Sequence, residues 1–347
     1  MSRLCVASIG AGRAGLVHAR NIARHARADL VAVIDQNAEA AQRFAAEVGA
    51  PPTYPSLEEA LAAGPLDAVF IATPTHTHRD LAVEAAEAGL HVFLEKPMAI
   101  SLQECDDVEA AAARAGVVLQ LGFMRRFQPE FAEAKARIEA GQIGEPMIVK
   151  SLTRGPGLPP AWAHDLSRSN GMLAEVNSHD FDCVRWLAGA PIERVYAEVT
   201  NRKGAARGVT ADQFYDNAVV SLRFANEALG TIDGTCPADY GYDGRVEVLG
   251  TEGVLIIGDV RGTALIEVRD RTVGAITPIH HGWPQRFAPG YVAELDAFVA
   301  AILDGAPVPV TAEDGRHAVA AVLAANRSWQ EERPVRLDEV TAGEVTA

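Results

Sequence analysis

The sequence predicts a doubly wound, parallel α/β domain followed by an α+β domain with a large, mostly antiparallel sheet. Three observations lead to this fold class. The chain has 347 residues, which is more than one hydrophobic core normally organises. Its first third alternates short apolar runs with longer helical patterns. The region from residue 195 to 273 instead contains several alternating runs without helices between them. We therefore expect one domain at residues 1–121 and a second at residues 122–347.

In the first domain we expect strands and helices in alternation. The expected strands cover residues 4–9, 30–34, 68–72, 91–94 and 117–121. The expected helices cover residues 14–25, 38–48, 57–63, 80–88 and 102–115. Because strands joined by helices run parallel and are covered on both faces, this order predicts right-handed crossovers and a doubly wound sheet.

The pattern changes after residue 122. We expect helices at residues 129–140, 175–188, 292–303 and 312–330. We expect strands at residues 146–152, 217–224, 228–234, 245–249 and 254–257. Consecutive strands without helices between them predict an antiparallel or mixed sheet. The Pro- and Gly-rich stretch at residues 155–160 is long for a connection within a compact domain, which favours a functional loop.

Composition excludes several classes of partner. The net charge of −15 opposes binding to nucleic acid or to an anionic membrane surface. The chain has no apolar run of about 18 residues, which a membrane-spanning helix would need. Its first apolar run ends at Gly10 and is too short for a signal peptide. The four cysteines are far apart, which predicts buried, reduced thiols rather than a metal or redox site. We therefore expect a cytoplasmic protein that binds neither nucleic acid nor membranes.

A glycine-rich motif follows the first strand. It reads Gly10-Ala11-Gly12-Arg13-Ala14-Gly15 and has the spacing of dinucleotide-binding loops. In such loops the first glycine allows a tight turn, the second lets the backbone approach a pyrophosphate, and the third lets the helix pack on the strand. The anion then lies at the N-terminus of the next helix. Because a strand precedes the motif and a helix follows it, we expect all six residues to contact a dinucleotide.

The residue after the second strand predicts which dinucleotide binds. Asp35 stands 20 residues after Gly15, a position from which a carboxylate accepts hydrogen bonds from the ribose hydroxyls. A carboxylate there also repels a 2′-phosphate, and the following Gln36 and Asn37 offer no guanidinium to hold one. The sequence therefore predicts NAD rather than NADP.

Polar residues follow the strand at residues 68–72. Thr73, Pro74, His76 and His78 fall at the carboxyl edge of the expected sheet, where open α/β sheets bind ligands. We therefore expect them to contact the cofactor. Two histidines at positions i and i+2 without a nearby cysteine or carboxylate make a poor metal site, so we expect no metal.

The segment Glu95-Lys96-Pro97 follows the next strand at the same edge. A lysine beside a nicotinamide supplies a positive charge that stabilises a developing alkoxide. The segment also fits an exposed loop in which Lys96 pairs with Glu95, because most lysines are exposed. The position at the sheet edge favours the functional interpretation, with Glu95 and Lys96 beside the cofactor.

Glu175, His179 and Asp182 fall at positions i, i+4 and i+7 on one face of the expected helix at residues 175–188. Spacing alone favours a solvated polar face. The functional alternative is a histidine that acts as a base and is oriented by carboxylates one turn away.

Taken in order along the chain, these motifs resemble the Gfo/Idh/MocA oxidoreductases, which are named for glucose–fructose oxidoreductase and inositol dehydrogenase. The segments at residues 122–127 and 171–182 contribute to the resemblance, and Tyr240-Gly241-Tyr242-Asp243 is similar to the inositol dehydrogenase branch. The resemblance covers essentially the whole chain. It implies a Rossmann domain followed by a mostly antiparallel sheet, whose open face commonly forms dimers or tetramers in this family.

Residue by residue, the resemblance assigns Lys96 and His179 to the family's catalytic lysine and histidine. It also implies a cis peptide bond between Lys96 and Pro97. The family's usual aspartate one turn before the histidine is Glu175 here, so its longer side chain is expected to reach Lys96 or a substrate hydroxyl. Inositol dehydrogenases tend to carry His and Asn where Thr153 and Gly155 stand, so the resemblance supports a polyol substrate without pointing to myo-inositol itself.

The sequence thus predicts reversible, NAD-dependent oxidation of a secondary hydroxyl on a sugar, a sugar derivative or a cyclitol. His179 would remove the hydroxyl proton, Lys96 would stabilise the alkoxide, and Glu175 would tune that pair. The further candidate substrate contacts are Arg126, Trp162, Tyr240 and Tyr242. Loop packing explains Trp162 equally well. Two alternatives stay open: an enzyme that retains NAD and shuttles hydride within or between sugars, and a non-catalytic NAD-binding sensor.

Overall fold

The computed structural model describes residues 3–209, 214–258 and 280–341. In the first third of the chain, strands and helices alternate as expected. The strands are β1 (Leu4–Ile9), β2 (Ala28–Ile34), β3 (Thr53–Tyr54), β4 (Ala68–Ile71), β5 (His91–Leu94) and β6 (Leu119–Leu121). The helices are α1 (Arg13–Ile22), α2 (Ala38–Glu47), α3 (Leu57–Ala63), α4 (His78–Glu87) and α5 (Leu102–Ala115). The sequence patterns did not predict β3, because a two-residue strand has no detectable period.

Six strands, β7 to β12, follow in the middle of the chain. They are β7 (Pro146–Arg154), β8 (Ile192–Thr200), β9 (Asn217–Phe224), β10 (Leu229–Thr235), β11 (Asp243–Gly250) and β12 (Val254–Ile257). The helices of this region are α6 (Pro129–Glu139), α7 (Leu166–Ser169), α8 (Gly171–Glu175), α9 (Ser178–Ala188), α10 (Lys203–Ala206) and α11 (Trp283–Arg286). The last elements are α12 (Ala288–Asp304), α13 (Ala312–Glu331), β13 (Val335–Arg336) and α14 (Asp338–Thr341). The expected strand region at residues 259–273 lies outside the described residues.

Strands β1 to β6 form a parallel sheet with the order β3-β2-β1-β4-β5-β6. The order reverses direction between β1 and β4. A reversal of this kind leaves a crevice at the carboxyl ends of the strands, where open α/β sheets bind ligands. The doubly wound Rossmann sheet that the sequence predicts is therefore confirmed.

The core on one face of this sheet includes a late part of the chain. Phe70 and Phe93, on β4 and β5, stack with ring centroids 4.4 Å apart. Phe298 of α12 meets the Phe70 ring edge-on at 5.3 Å, and Leu295 of the same helix is buried in this cluster. Burying each of these side chains stabilises the fold by about 1.5–3 kcal/mol. Helix α12 therefore packs with the first sheet.

The chain divides into two compact units. The first comprises Met1–Phe127 with Pro289–Val319, and the second comprises Gln128–Ala288 with Ala320–Ala347. The single boundary expected after residue 121 does not account for residues 289–319. These residues belong to the first unit because α12 contributes Leu295 and Phe298 to its core.

The second unit contains a seven-stranded sheet with the order β12-β11-β7-β10-β9-β8-β13. Strands β7 and β10 pair in parallel, and the other neighbours pair antiparallel. Side chains alternate along β7: Val149, Ser151 and Thr153 are buried, whereas Lys150 is exposed. The mostly antiparallel sheet that the sequence predicts is confirmed.

The helix expected at residues 175–188 is wrong in its first turn. Helix α8 ends at Glu175 and α9 begins at Ser178, with Val176 and Asn177 between them. The N–H groups of Val176 and Asn177 both donate to the carbonyl of Met172, which ends α8. Glu175 and His179 therefore lie on two different helices and not on one continuous face.

The cysteines follow the expectation from the sequence. None of the four forms a disulfide bond; Cys105, Cys183 and Cys236 are buried and Cys5 is half-buried. Within the described ranges, no group of three or more His, Cys, Asp and Glu side chains is arranged to hold a metal ion. None of the described helices combines the length and the apolar character needed to cross a membrane.

Candidate active site

The carboxyl ends of the strands in the first sheet bring predicted cofactor residues to one edge. Gly10 directly follows β1, Asp35 follows β2, and Glu95 follows β5. Thr73 stands two residues after β4, and Gly122 directly follows β6. Parallel strands end on the same side of a sheet, so these residues share the edge where ligands bind.

The glycine-rich loop has the shape that a pyrophosphate site requires. Gly10 has φ +104°, and a Cβ atom there would lie 2.6 Å from the Ala72 carbonyl oxygen. A Cβ atom on Gly15 would lie 2.2 Å from the Gly10 carbonyl oxygen, so the helix can start close to the strand only with glycine there. A Cβ atom on Gly12 would instead enter open space, with its nearest neighbour 4.0 Å away.

Helix α1 presents its N-terminus to that open space. Gly12 is its N-cap residue and supplies no side-chain hydrogen bond to the first turn. The first N–H groups of a helix lack partners within the helix and carry the positive end of its dipole. The loop and α1 therefore fit a dinucleotide pyrophosphate.

Asp35 is held in place by the backbone. Its Oδ2 atom accepts the N–H of Ala11, and its Oδ1 atom accepts the N–H of Asn37, both at 2.8 Å. Asn37 in turn caps α2 by accepting the N–H of Ala40. A carboxylate fixed at the end of β2 fits the ribose hydroxyls of NAD and repels a 2′-phosphate.

His78 has both ring nitrogens next to protein carbonyls. Its Nδ1 atom lies 2.7 Å from the Pro97 oxygen, and its Nε2 atom lies 3.0 Å from the Thr73 oxygen. Burial is the main cause that lowers the pKa of His78 below its usual value. The sequence predicts that His78 contacts the cofactor. In the structure the ring lies between the Thr73 turn and the segment that carries Lys96, and its single N–H in the neutral form donates to one of the two carbonyl oxygens.

The other residues of that turn keep the expected edge position. Thr73, Pro74 and His76 are half-buried. A Cβ atom on Gly10 would lie 3.0 Å from Thr73 Cγ2, so Thr73 borders the glycine-rich loop. Thr77 Oγ1 donates to the Pro74 oxygen at 2.8 Å and closes the turn.

Glu95 and Lys96 are joined through the backbone. Glu95 is buried, and its Oε2 atom accepts the N–H of Lys96 at 3.0 Å. Its Oε1 atom lies 2.7 Å from Nε2 of the buried His18. Burial alone raises the pKa of Glu95, but the His18 hydrogen bond and charge, together with Lys96, hold that pKa below its usual value. The peptide bond between Lys96 and Pro97 is cis, as the resemblance implies, and Lys96 is half-buried rather than exposed.

Arg126 forms a two-pronged ion pair within its own unit. Its Nη2 atom lies 2.9 Å from Asp314 Oδ1, and its Nη1 atom lies 3.2 Å from Asp314 Oδ2. A paired guanidinium of this kind has a fixed orientation. The structure thus gives Arg126, predicted as a substrate contact, a protein carboxylate as partner.

In the second unit, a buried carboxylate fixes the start of α9. Both oxygens of Asp180 accept hydrogen bonds: Oδ1 from Ser151 Oγ (2.5 Å) and Thr153 Oγ1 (2.9 Å), and Oδ2 from Asn177 Nδ2 (2.8 Å). These bonds tie α9 to β7 one residue from His179. Asp180 is not among the residues that the sequence predicts for the site. The available signal was the Asn177-Ser178 pair before it, because these residue types often begin helices.

The predicted acid–base residues do not form a solvated face. His179 and Asp182 of α9 are buried, and so is the intervening Asp180. Glu175, at the end of α8, is half-buried. The solvated helix face that spacing alone favoured is therefore wrong, because these side chains are withdrawn from water.

The three aromatic candidates have different surroundings. Trp162 is half-buried in a one-turn 3-10 helix, Ala161–His164, that follows the Pro- and Gly-rich stretch. Tyr240 is 44% exposed, and its hydroxyl donates to Asp243 Oδ2 at 2.9 Å. Tyr242 is buried and packs edge-on against Phe287, with ring centroids 5.8 Å apart.

Comparison with known proteins identifies both parts of the chain. Residues 4–123 match the sequence model of the Gfo/Idh/MocA oxidoreductase family with its NAD-binding Rossmann fold. Residues 135–337 match the model of that family's C-terminal alpha/beta domain. The two matches follow one another in the order that the family has.

Individual relatives are similar over nearly their full lengths. A myo-inositol 2-dehydrogenase from Thermotoga maritima is 34% identical, with 96% of this chain and 98% of the relative covered. A scyllo-inositol 2-dehydrogenase (NAD(+)) from Bacillus subtilis is 35% identical, with 96% of each chain covered. The crystal structure of a scyllo-inositol dehydrogenase from Lactobacillus casei with bound NAD(H) and scyllo-inositol is 28% identical, has a TM-score of 0.87, and covers 97% of this chain and 99% of its own.

The sheet order, the glycine-rich edge and these matches agree with the resemblance seen in the sequence. The chain belongs to the Gfo/Idh/MocA family of NAD-binding oxidoreductases.

Proposed function

We propose that the protein is an NAD-dependent dehydrogenase that oxidises a secondary ring hydroxyl of a cyclitol of the inositol class. The observation that carries this proposal is the carboxyl edge of the first sheet, where the N-terminus of α1 follows β1, the fixed Asp35 carboxylate follows β2 and Lys96 follows β5. Relatives similar over almost their whole length are named as inositol dehydrogenases, which supports the substrate class.

The residues of the first unit divide the binding of NAD between them. The loop around Gly12 and the first N–H groups of α1 hold the pyrophosphate, and Asp35 accepts hydrogen bonds from the ribose. When bound, NAD accepts the hydride that leaves the substrate carbon. Thr73, Pro74 and His76 border the loop and complete the cofactor contacts.

The proton chemistry belongs to Lys96, His179 and Glu175. An imidazole nitrogen of His179 takes the proton of the reacting hydroxyl, and Lys96 Nζ donates a hydrogen bond to the oxygen as its negative charge develops. A general base of this kind typically contributes about 10²–10⁴-fold in rate. Glu175, at the end of α8, adjusts the proton affinity of His179 and Lys96 through its charge.

Two positions bear on which cyclitol is preferred. Thr153 Oγ1 donates to the buried Asp180, so this hydroxyl serves the fold. A Cβ atom on Gly155 would lie 3.1 Å from Cys236 Sγ, which leaves little space for a larger side chain. Because inositol dehydrogenases tend to carry His and Asn at these positions, we propose a preferred substrate other than myo-inositol itself.

The remaining candidate contacts to the substrate are Arg126, Trp162, Tyr240 and Tyr242.

We also propose that the protein works in the cytoplasm as a dimer or tetramer formed through the open face of the second sheet. Free thiols fit a reducing compartment. The open face carries exposed apolar side chains, among them Val219 at 58% and Ile256 at 75% exposure. Ion pairs such as Lys150–Glu247 lie between them. Val219→Asp should shift the assembly towards monomers in light scattering, whereas an unchanged mass would remove this face from the proposal.

A panel of substrates tests the proposed activity. Purified protein is mixed with NAD and, in turn, with myo-inositol, scyllo-inositol, other inositols, aldoses and glycosides, and released NADH is followed by its absorbance. We expect the highest kcat/KM with a cyclitol other than myo-inositol. Best turnover with an aldose would contradict the substrate class, and best turnover with myo-inositol would contradict the argument from Thr153 and Gly155.

The same assay separates the two alternatives to this function. An enzyme that retains NAD would co-purify with the cofactor and convert one sugar into another without releasing NADH. A non-catalytic sensor would bind NADH and show no product with any member of the panel.

A further inference from the structure

A buried cluster of three ionisable side chains lies in the first unit and includes Glu95, the residue before Lys96. Glu95 follows β5, His18 lies on α1, and Glu294 lies on α12, and all three are buried. Glu95 Oε1 is 2.7 Å from His18 Nε2. His18 Nδ1 is 3.9 Å from Glu294 Oε1. The imidazole is therefore placed between two carboxyl groups.

Aromatic rings surround this imidazole. The centroid of the His18 ring is 4.9 Å from that of Phe93, 5.4 Å from that of Phe70 and 5.5 Å from that of Tyr291. In such an apolar setting, charges interact strongly and an unpaired charge is costly. Two ionised carboxylates in this cluster would repel each other, and one of them would lack a positive partner. We therefore expect only one of the two carboxyl groups to be ionised.

The two carboxyl groups differ in their contacts. Glu95 has a hydrogen-bond partner for each oxygen, and these partners favour its ionised form. Among the described residues, neither side-chain oxygen of Glu294 has a hydrogen-bond partner. Burial first, and then the charge of Glu95, raise the pKa of Glu294 well above its usual value. Glu294 is therefore the protonated member of the cluster and Glu95 the ionised one.

The ionised Glu95 determines how His18 is oriented. A carboxylate only accepts hydrogen bonds, so Nε2 of His18 carries the proton and donates it to Glu95 Oε1. The other oxygen of Glu95 accepts the N–H of Lys96. A single chain of hydrogen bonds thus leads from helix α1 through Glu95 to the backbone of Lys96.

The glycine after β6 supports the same arrangement. A Cβ atom on Gly122 would lie 3.2 Å from Glu95 Cδ and 3.3 Å from Glu95 Oε2. Those contacts are tighter than a side chain normally tolerates, so the absence of a Cβ atom leaves room for the Glu95 carboxylate. The position of the carboxylate is therefore restricted on the side of His18 and on the side of Gly122.

We infer that His18 is a positioning residue for Lys96: its hydrogen bond to Glu95 fixes the backbone of the lysine that stabilises the alkoxide. This inference rests on the proposed function of Lys96. Because His18 stands three residues after Gly15 on α1, the helix that presents its N-terminus to the pyrophosphate also sets the place of Lys96.

Two substitutions of His18 test the inference. His18→Phe keeps a ring of similar shape and removes the donor, so kcat should fall by about tenfold or more, since small displacements of a reacting group are costly. His18→Gln restores an N–H near the position of Nε2 and should recover kcat to within about threefold of wild type. The dissociation constant of NADH, measured by quenching of protein fluorescence, should stay within about twofold for both variants.

A second histidine on the same stretch of chain provides the control. His25 Nε2 lies 3.0 Å from Asp296 Oδ1, so it also joins the region of α1 to α12, but it has no link to Glu95. His25→Phe should leave kcat unchanged. Equal kcat values for His18→Phe and wild type, or equal losses in His18→Phe and His18→Gln, would overturn the inference.

A double-substitution cycle separates this inference from the proposed role of Lys96. If His18 acts through Lys96, His18→Phe should cost little further rate in a Lys96→Met background. Fully additive losses would overturn the positioning role while leaving Lys96 catalytic. A Lys96→Met variant with wild-type kcat would instead contradict the proposed function.

If His18→Phe does not fold, Gly122→Ala tests the same chain of contacts from the other side. The added Cβ atom displaces the Glu95 carboxylate by a few tenths of an ångström. We expect kcat to fall by about threefold to tenfold with NADH binding retained. An unchanged kcat in the folded Gly122→Ala protein would contradict the inference.

Discussion

The carboxylate of Asp35 accepts the N–H of Ala11 at 2.8 Å, so the acidic residue after β2 is bonded to the glycine-rich loop after β1. Asp35 therefore has two connected effects. It holds the glycine-rich loop, and under the proposed function it presents its charge to the ribose 2′ position of the cofactor. We therefore propose that cofactor choice and loop shape depend on the same side chain.

The first prediction concerns that choice. Wild-type protein should use NAD at least about tenfold better than NADP in kcat/KM, a difference of about 1.4 kcal/mol. Asp35→Ser removes the negative charge and keeps one oxygen for the Ala11 N–H. The ratio of kcat/KM with NAD to kcat/KM with NADP should therefore become smaller. Steady-state kinetics with both cofactors measure it. Equal use of the two by the wild type would contradict the interpretation of Asp35.

The second prediction concerns His179. His179→Ala should lower kcat by about 10²-fold or more, because a general base is lost. NADH affinity should barely change, since the proposed dinucleotide contacts all lie in the first unit. In the wild type, turnover in the direction of oxidation should rise with pH to a plateau, because only neutral imidazole accepts a proton. A folded His179→Ala variant with near-wild-type turnover would return His179 to a purely structural role.

Glu175 gives a third prediction with an internal comparison. If the charge of Glu175 stabilises the protonated imidazole of His179 as proposed, Glu175→Gln should move the rising limb of the pH profile to lower pH and should lower turnover. Glu175→Asp, which restores the residue usual in the family, should be milder in both respects. The pH dependence of kcat for the three proteins measures the effect. Identical profiles for all three would remove Glu175 from the acid–base pair.

The fourth prediction concerns Asp180. Asp180→Ala leaves the donors of Ser151, Thr153 and Asn177 without their acceptor, so the free energy of unfolding should fall by about 3 kcal/mol or more. Thr153→Val removes one of these bonds and should cost only about 1 kcal/mol. Urea unfolding of both variants measures the difference. A large rise in KM with Thr153→Val would show instead that Thr153 binds substrate.

The fifth prediction follows from the raised pKa of Glu294. In the unfolded chain this carboxyl ionises above about pH 4.3, while the folded protein keeps the proton. Glu294 therefore lowers stability as pH rises from about 4.3 towards its folded pKa. Glutamine is neutral in both states, so Glu294→Gln should gain stability over wild type by up to about 1.4 kcal/mol per pH unit in that window.

Unfolding by urea at about pH 4 and about pH 7 tests this sign. The gain should be near zero at the lower pH and clear at the higher one. The exposed Glu313 on α13 offers a matched control, and Glu313→Gln should show no such dependence. A Glu294→Gln variant that loses stability at neutral pH would indicate that Glu294 is ionised in the folded protein.

Much of the first unit was predictable because its signals are local. Three signals lie within the first 35 residues: the apolar run of β1, the glycines at positions 10, 12 and 15, and the acidic residue at position 35. Together they form one known pattern of strand, glycine-rich turn and second strand, so each supports the interpretation of the others. The break between α8 and α9 was not predicted, because the i, i+4 and i+7 spacing of Glu175, His179 and Asp182 fits one continuous helix. The Asn177-Ser178 pair was the available sign of a new helix start.

Contacts between distant parts of the chain were beyond the reach of local patterns. His18 and Glu95 are 77 residues apart in sequence, and each separately fits an ordinary helix or loop. Glu294 lies on an apolar helix that the sequence assigned to the second domain. Spacing also favoured a solvated face for His179 and Asp182, because periodicity reports which residues share a face and not what covers it.

Transfer of a labelled hydride tests the central claim most directly. The best cyclitol from the substrate panel is deuterated at the reacting ring carbon and incubated with NAD, and the masses of the released cofactor and of the product are measured. NAD-dependent oxidation predicts reduced cofactor that is heavier by one deuterium, formed in equal amount with a ketone. Label that appears on another sugar carbon without released NADH, or no transfer at all, would contradict the account.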